Sequence, residues 1–283
     1  MVKIHADLCS GCGECAEICH ESCMSVRDKK ITINHDYCST CGQCIAMCGR
    51  QALWWEDNRP EALDPSLKVE SRQLAEFLMG RRTNRHLKPD KPPRELMEQV
   101  MNMGAYAPAH DFNLRCVAVD DEAIIGMLDS EILRQIKNLY NFIFKPPFIR
   151  WLLKFMPASM NHEFQKALPK LEKSIRLGRG YVLRPPAIIY IIGKKDTPLS
   201  LESAQYAAYN MDLYARTLGL ACRNLTGNNM LINRSAKTRK TLGIKGNESI
   251  YAALAVGFQA KKFRNKITGR QMPSSWNGKT PEK

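Results

Sequence analysis

This 283-residue chain lacks the segments that identify several common classes of protein. No Gly-x-Gly-x-x-Gly follows a strand-like run, and Gly278-Lys279-Thr280 has Pro273 where a phosphate-binding loop has its upstream glycine. A Rossmann nucleotide site and a nucleoside triphosphatase are therefore not expected. The apolar runs Leu139–Phe144 and Phe148–Pro157 are too short to span a bilayer, so no transmembrane helix is expected either.

Cysteine, by contrast, is abundant and follows one spacing twice. Eight of the 11 cysteines form Cys-x-x-Cys-x-x-Cys-x-x-x-Cys quartets: Cys9, Cys12, Cys15 and Cys19, then Cys38, Cys41, Cys44 and Cys48. This spacing is typical of cubane iron–sulfur clusters. A zinc ribbon uses paired Cys-x-x-Cys knuckles instead. A disulfide framework belongs to small secreted chains, and the N-terminus does not resemble a signal peptide.

The quartets therefore predict [4Fe-4S] clusters and a reducing, cytoplasmic location. Cys23, Cys116 and Cys222 lie outside the pattern and are expected to be small buried residues.

The repeat extends beyond the cysteines, because residues 7–15 match residues 36–44 at an offset of 29 residues. Residues 1–58 resemble the bacterial two-cluster ferredoxin. The resemblance implies that the fourth cysteine of each quartet crosses over to the other cluster. One cluster would bind Cys9, Cys12, Cys15 and Cys48, and the other would bind Cys38, Cys41, Cys44 and Cys19. His20 and Gly49 replace the proline that usually follows the fourth cysteine, which removes no ligand.

The charge is divided unevenly along the chain. Residues 1–58 carry a net charge of −3, whereas the remaining residues carry +17. Such a basic body is compatible with nucleic acid, acidic lipid, phosphorylated ligands or an anionic protein partner, and equally with a solvated surface. Nucleic acid ranks last among these partners, because no aromatic-interleaved basic motif accompanies the charge.

The rest of the chain alternates helical and strand-like patterns. Residues 59–69 contain prolines and polar side chains and are predicted to be a linker. Helical periodicity begins at Glu70, and a long helix with small residues is predicted over Ser203–Leu218. Strand-length apolar runs occupy residues 114–119, 187–192 and 250–256. Helices outnumber strands, so the predicted fold class is α+β.

Five motifs after the linker occur in the order of one known family. They are Arg81-Arg82-Thr83-x-Arg85, Ala107-Pro108-Ala109, Arg184-Pro185-Pro186-Ala187, the helical segment 208–220, and Leu242-Gly243-Ile244 followed by Ala255-Val256-Gly257-Phe258. Together they resemble the nitroreductase family of FMN-dependent oxidoreductases over residues 70–283. The resemblance implies a nitroreductase-like, FMN-binding α+β domain behind the ferredoxin-like 2[4Fe-4S] domain.

The same resemblance implies three sets of flavin contacts. The FMN phosphate and the polar edge of the isoalloxazine would be held by Arg81, Thr83 and Arg85, with Arg82 as a neighbouring phosphate contact. The phosphate would also be bound from its other side by Lys262 and Arg264. Backbone amides facing the flavin N5 and O4 would come from Leu225, Thr226 and Gly227. Clustered guanidiniums can bind phosphate by charge-assisted hydrogen bonds, although a basic helix end is the commoner occurrence.

One loop departs from the family pattern. The family's Asn-x-Gln-Pro-Trp stretch is shortened and replaced by residues 109–114. Asn113 is the candidate for an amide that binds the flavin pyrimidine edge, and a slip of two residues would give that role to His110 or Asp111. His110 is also the candidate catalytic residue, as a proton donor to substrate, with a histidine satisfied inside the loop as the alternative.

Residues 121–180 are unlike the family's core and are interpreted as a divergent insertion. The segment is expected to cover the flavin cleft as a lid or to contact a second subunit, because family members build the flavin site at a homodimer interface. Its aromatic runs and neighbouring basic residues leave peripheral contact with a membrane interface as the alternative.

The two halves together predict an oxidoreductase that passes electrons between two [4Fe-4S] clusters and FMN and reduces a small organic acceptor. A nitroaromatic, a quinone or an activated alkene are the acceptors considered. NAD(P)H remains open as an external reductant, and so does the direction of electron flow. One alternative is an electron-transfer or redox-sensing protein that docks a large redox partner. Another is a specialised flavin-modifying enzyme of the same fold.

Overall fold

The computed structural model describes residues 1–109, 113–152, 155, 157–275 and 277. Its first 58 residues contain two antiparallel strand pairs and two short helices. In chain order these elements are β1 (Val2–Ile4), α1 (Glu14–Glu17), β2 (Met24–Arg27), β3 (Lys30–Ile33), α2 (Gln43–Met47) and β4 (Leu53–Trp55). Strand β1 pairs with β4, and β2 pairs with β3 as a hairpin. The sequence repeat is therefore matched by a repeat of loop, helix and strand.

Glycine shapes the two cysteine loops. Both short helices begin after a glycine in the left-handed region, Gly13 with φ of 89° and Gly42 with φ of 75°. A Cβ at Gly11, whose φ is 69°, would lie 2.4 Å from the carbonyl oxygen of Lys29. These turns suit glycine because it has no Cβ to clash. The core beneath them is small and consists mainly of Val2, Met24 and Leu53.

The remaining residues form a mixed domain of helices and strands, which confirms that expectation for the C-terminal part. Its elements are α3 (Ser71–Gly80), α4 (Arg94–Met103), β5 (Arg115–Val119), α5 (Glu122–Leu139), α6 (Pro147–Leu152), α7 (Ala158–Leu177), β6 (Ala187–Lys194), α8 (Ser200–Thr217), β7 (Leu220–Asn224), α9 (Thr226–Arg234), α10 (Ala236–Thr241) and β8 (Glu248–Phe258).

Strands β5 to β8 form one antiparallel sheet in the order β5-β6-β8-β7. The helices α4 and α8 pack on one face of this sheet, and α5 and α9 pack on the other. Residues 187–192 of the central strand β6 are fully buried. Their uninterrupted apolar sequence follows from this position, because a strand covered on both faces has no solvent-facing side. The buried sheet holds α8 and β7 in place.

Residues 121–180 contribute to the core as well as to the surface. Helix α5 buries four regularly spaced apolar side chains against the sheet: Ile125, Leu128, Ile132 and Ile136. Helix α7 packs on α5. Beyond α5, Phe142, Phe148, Trp151 and Phe155 expose their rings. The role of this outer part as a lid or dimer element stays a prediction. Within the described residues, no helix is both long enough and apolar enough to cross a membrane.

Candidate functional site

Four cysteines line a cavity of about 260 Å³ in the N-terminal domain: Cys9, Cys12, Cys15 and Cys48. All its lining residues fall between residues 9 and 53, and we call it the outer cavity. The amide of Ala52 donates a hydrogen bond to Cys48 Sγ at 3.3 Å. Hydrogen bonds to sulfur are one means by which proteins tune iron–sulfur clusters, so this environment fits such a ligand.

A second cavity, of about 420 Å³, is lined by the other four cysteines: Cys19, Cys38, Cys41 and Cys44. We call it the inner cavity, because residues of the C-terminal domain also line it. Each cavity takes three cysteines from one loop and the fourth from the end of the other quartet. This is the grouping that the crossover predicts, while ligation itself stays a prediction.

Burial affects the thiols of the inner cavity. It raises the pKa of Cys44 to about 11, and the negative charges of Cys38 and Cys41 act in the same direction. Bound iron would supply a cation that stabilises the thiolate at this half-buried position. Among the described residues, no three His, Cys, Asp or Glu side chains converge closely enough for a single metal ion.

Cys23 is a residue whose position the sequence interpretation missed. It is buried, as expected, but it also lines the inner cavity. Its Sγ lies 3.4 Å from Cys19 Sγ. The inner cavity therefore contains five sulfurs, one more than a cubane needs. The four-residue spacing of Cys19 and Cys23 was the signal that could have revealed this contact.

A third cavity, of about 240 Å³, lies between the segment after α3, the helix α8 and the strands β7 and β8. We call it the α8 cleft. Its lining consists of Arg81, Thr83, Gln205, Ala208, Tyr209, Asp212, Cys222, Asn224 and Leu254. Two of the predicted flavin contacts, Arg81 and Thr83, thus line the same cavity as residues of the helix α8 and of the edge strand β7.

Arg81 is held inside this cleft by side chains that the sequence did not single out. Its Nη1 donates to Asp212 Oδ2 at 3.0 Å, and its guanidinium carbon lies 5.7 Å from the centre of the Tyr209 ring. Burial raises the pKa of Asp212, although the charge of Arg81 opposes the shift. Part of the hydrogen-bonding capacity of Arg81 is therefore used within the protein. Its predicted contact with FMN stays a prediction.

Backbone hydrogen bonds pair residues 86–88 with residues 258–260, next to the predicted phosphate contacts Arg85 and Lys262. Lys88 N donates to Phe258 O at 2.8 Å, and Ala260 N donates to His86 O at 3.0 Å. Arg85 immediately precedes the first of these paired segments, Lys262 lies two residues after the second, and both are exposed. Opposed cations beside one another fit an anionic group such as a phosphate. Neither of them lines the α8 cleft.

The remaining phosphate candidates lie close to these segments. Arg264 is exposed two residues after Lys262 and does not line the α8 cleft either. The half-buried Arg82 donates from Nη1 to the carbonyl oxygen of Arg81. Both residues keep their predicted phosphate roles as predictions.

The start of α9 carries the predicted backbone contacts. Leu225 N already donates to Ala253 O at 2.8 Å, so its amide is committed within the protein. Thr226 and Gly227 are the first two helical residues, and amides at this position have no partner inside a helix. Their backbone amides remain the better candidates for hydrogen bonds to the flavin N5 and O4.

Asn229 on the same helix was missed by the sequence interpretation. It is 5 % exposed, and its amide oxygen and nitrogen have no hydrogen-bond partner among the described residues. Buried amides are nearly always paired. A water molecule or another polar group beside α9 would supply the missing partner. No local pattern around this residue indicated its role.

Asn113 and the α8 cleft lie at opposite edges of the sheet in this chain. Asn113 precedes β5 at one edge of the sheet, whereas Asn224 of the cleft ends β7 at the other edge. Four strands about 4.8 Å apart separate the two edges by about 14 Å. Its predicted contact with the flavin pyrimidine edge stays a prediction. The alternative candidates His110 and Asp111 lie outside the described residues.

Comparison with known proteins identifies the family. A model described as the nitroreductase family matches residues 78–258, which is more than half of the chain. The chain belongs to the nitroreductase family. It is therefore an oxidoreductase of an FMN-dependent family. The match begins at residue 78 and does not bear on the cysteine-rich domain. A comparison with curated proteins gave no match.

Solved structures show the same fold at low sequence identity. An FMN-bound nitroreductase from Bacteroides fragilis NCTC 9343 is 16 % identical with a TM-score of 0.51, over 72 % of this chain and 99 % of that chain. A BluB-like flavoprotein from Clostridium difficile 630 is 15 % identical with a TM-score of 0.52, over 70 % and 94 %. An FMN-dependent nitroreductase from Clostridium difficile R20291 is 13 % identical with a TM-score of 0.50, over 73 % and 100 %.

Proposed function

We propose that this nitroreductase-family protein passes electrons between two [4Fe-4S] clusters and FMN and reduces a small organic acceptor. A nitroaromatic, a quinone or an activated alkene would be such an acceptor. The proposal rests on one observation, the presence of two cysteine-lined cavities, each with a predicted quartet of ligands, in one chain with a nitroreductase fold. Clusters carry single electrons, whereas these reductions need two. FMN, when bound, supplies the conversion between the two.

The flavin would be held by residues from both sides of the α8 cleft. Arg81 and Thr83 line the cleft itself, and Arg85 and Lys262, which flank the paired segments 86–88 and 258–260, would bind the phosphate. The amides of Thr226 and Gly227 would stabilise negative charge that develops on the flavin ring. FMN-bound relatives with the same fold support this assignment. NAD(P)H is proposed only as an external reductant.

Each cluster would be held by the four cysteines of one cavity. Cys9, Cys12, Cys15 and Cys48 would bind the first, and Cys19, Cys38, Cys41 and Cys44 would bind the second. The grouping of these side chains around two cavities supports the assignment. Because exposed clusters are sensitive to oxygen, we also propose that the protein works in a reducing, cytoplasmic environment.

A homodimer is part of the proposal. The helices α3 and α8 enclose an apolar groove that includes Leu74, Phe77, Met103 and Tyr106. Leu74 is 46 % exposed and Tyr106 is 77 % exposed. Contiguous exposed apolar surface of this kind commonly marks a protein contact. A second copy of the chain would cover the groove and complete the flavin site.

The charge distribution also favours a second candidate function, that of an electron carrier. The acidic N-terminal domain and the basic remainder of the chain could dock a large redox partner, so that the protein carries electrons without reducing a small molecule. The electron acceptor distinguishes the two functions.

The experiment is a stoichiometric reoxidation. Anaerobic protein that contains both cofactors is reduced with dithionite, freed of excess reductant and mixed with a nitroaromatic or a quinone. Loss of the reduced cluster and flavin absorbance together with an equivalent amount of reduced product would support the enzyme. Protein depleted of flavin is the control and should react much more slowly. Reduced protein that is reoxidised only by another redox protein would support the carrier instead.

A further inference from the structure

The two cysteine cavities differ in which parts of the chain close them. Six described residues of the C-terminal domain line the inner cavity: Pro108, Ala109, Leu199, Glu202, Ser203 and Tyr206. Among the described residues, only those of the N-terminal domain line the outer cavity. Resting on the proposed function, we propose that electrons pass between the two domains at the inner cavity. The cluster in the outer cavity then exchanges electrons only with external partners and with the inner cluster.

Helix α8 connects the inner cavity to the α8 cleft. Glu202 and Tyr206 line the cavity, whereas Tyr209 and Asp212 line the cleft. At a rise of 1.5 Å per residue, Tyr206 and Tyr209 lie about 4.5 Å apart along the helix axis. Side chains three residues apart are neighbours on a helix surface. One tyrosine therefore borders each site, and the connection spans a single helical turn.

Charge distinguishes the cavities as well. The outer cavity is lined by the oppositely charged Glu14 and Arg50. The inner cavity is lined by the carboxylates of Glu21 and Glu202, and Glu202 comes from the C-terminal domain. Nearby negative charge makes a cluster harder to reduce. Glu202 therefore lowers the reduction potential of the inner cluster, and it lies outside the outer cavity.

Each passage moves one electron and neither forms nor breaks a bond. In the reductive direction the inner cluster loses one electron and the flavin gains one. Two passages, together with two protons from water, complete the two-electron reduction of the flavin. A one-electron donor protein returns the electrons through the outer cluster. Glu202 and Tyr206 act here as positioning residues, because they border the cluster site without binding iron.

A matched pair of variants tests this assignment in the full-length protein with both clusters bound. Glu202→Gln removes a carboxylate that the C-terminal domain contributes to the inner cavity. Glu14→Gln removes one from the outer cavity, also in the first turn of a helix. A redox titration followed by electron paramagnetic resonance measures the potential of each cluster. We expect Glu202→Gln to raise the potential of one cluster and Glu14→Gln to raise that of the other.

A second measurement follows the contact between the domains. Tyr206→Ala opens the inner cavity, so iron release to a chelator should speed up several-fold for one of the two clusters. Leu201→Ala is the control, because this exposed neighbour on α8 does not line the cavity and should leave the rate unchanged.

The outcomes separate this inference from the proposed function. The inference is overturned if Glu202→Gln shifts neither cluster, or shifts the same cluster as Glu14→Gln. It is also overturned if Tyr206→Ala and Leu201→Ala release iron at the same rate. Unsubstituted protein that binds no iron after anaerobic reconstitution overturns the proposed function itself, and the inference with it.

Discussion

The two domains hold their candidate functional residues in place in different ways. In the N-terminal domain, eight cysteines lie on loops and short helices around a core of a few side chains, such as Val2 and Leu53. In the C-terminal domain, most of the cleft residues belong to α8 and to the strands β7 and β8, in a sheet in which residues 187–192 of β6 are fully buried. A small core rarely holds a fold alone, whereas a large one does. The N-terminal domain should therefore need bound iron in order to fold, whereas the C-terminal domain should fold without flavin.

Removal of iron should have the largest effect, and it should affect the two domains differently. Metal binding to a site that is absent from the unfolded chain contributes directly to folding. After anaerobic chelation, peptides from residues 1–58 should lose nearly all protection in hydrogen exchange. Peptides from β6 and β8 should keep theirs. Equal loss of protection in both domains would contradict the comparison, and so would unchanged protection in the first.

Substitution at the crossover should have the next largest effect. Cys19→Ser removes a ligand of the inner cluster and should reduce the iron content by up to half. Because Cys23 Sγ lies 3.4 Å from Cys19 Sγ, Cys23 can replace the lost ligand. The double variant Cys19→Ser with Cys23→Ser should therefore lose the inner cluster completely, and Cys23→Ser alone should keep it. Loss of the outer cluster instead, measured by electron paramagnetic resonance, would disprove the crossover.

Arg81 and Arg264 should differ in effect although both are predicted to contact FMN. Arg81→Ala leaves Asp212 without its partner in a site where that residue is only 9 % exposed. An unpaired buried group costs about 1–3 kcal/mol, so stability and FMN content should both fall. Arg264 is exposed, so Arg264→Ala should lower FMN content alone. Urea unfolding and flavin content measure the two effects. Equal loss of iron in either variant would indicate general misfolding.

The smallest effect on stability is expected from the ion pair that links Arg115 of β5 to Glu248 of β8. Arg115 donates to both carboxylate oxygens of Glu248, at 2.9 and 2.7 Å. These hydrogen bonds lower the pKa of Glu248 from 4.5 to about 2. Because the folded-state pKa is depressed, the stabilisation is complete above pH 4.5 and is lost as the pH falls towards 2.

Glu248→Gln should therefore destabilise the C-terminal domain by about 1–3 kcal/mol above pH 4.5. The difference from the unsubstituted protein should shrink between pH 4.5 and pH 2. Hydrogen exchange of peptides from β8 measures it. A difference that does not change with pH would show that the ion pair contributes nothing.

Local signals allowed part of this structure to be predicted. The cysteine spacing indicated the two loop-and-helix units because each of them is formed by neighbouring residues, whereas the exchange of the fourth cysteine between the units came from the ferredoxin resemblance. The apolar runs at residues 187–192 and 250–256 became β6 and β8, each longer at one or both ends. Strand β7 was missed, because it is five residues long and its last two, Arg223 and Asn224, are polar.

Long-range contacts could not be predicted in the same way. Asp212 stands in a helix that the sequence did predict, but nothing in its neighbourhood indicates a partner 131 residues away at Arg81. The covering of the inner cavity by α8 is likewise a product of tertiary packing. In contrast, the spacing of Ile125, Leu128, Ile132 and Ile136 was a local helical signal. It shows that the first part of residues 121–180 belongs to the core.

The cofactor content of the purified protein tests the central claim most directly. Protein prepared without oxygen should contain about eight iron atoms and about eight acid-labile sulfides per chain, for two [4Fe-4S] clusters, together with about one FMN. Zinc in place of iron, two iron atoms per chain, or no flavin after reconstitution would contradict it.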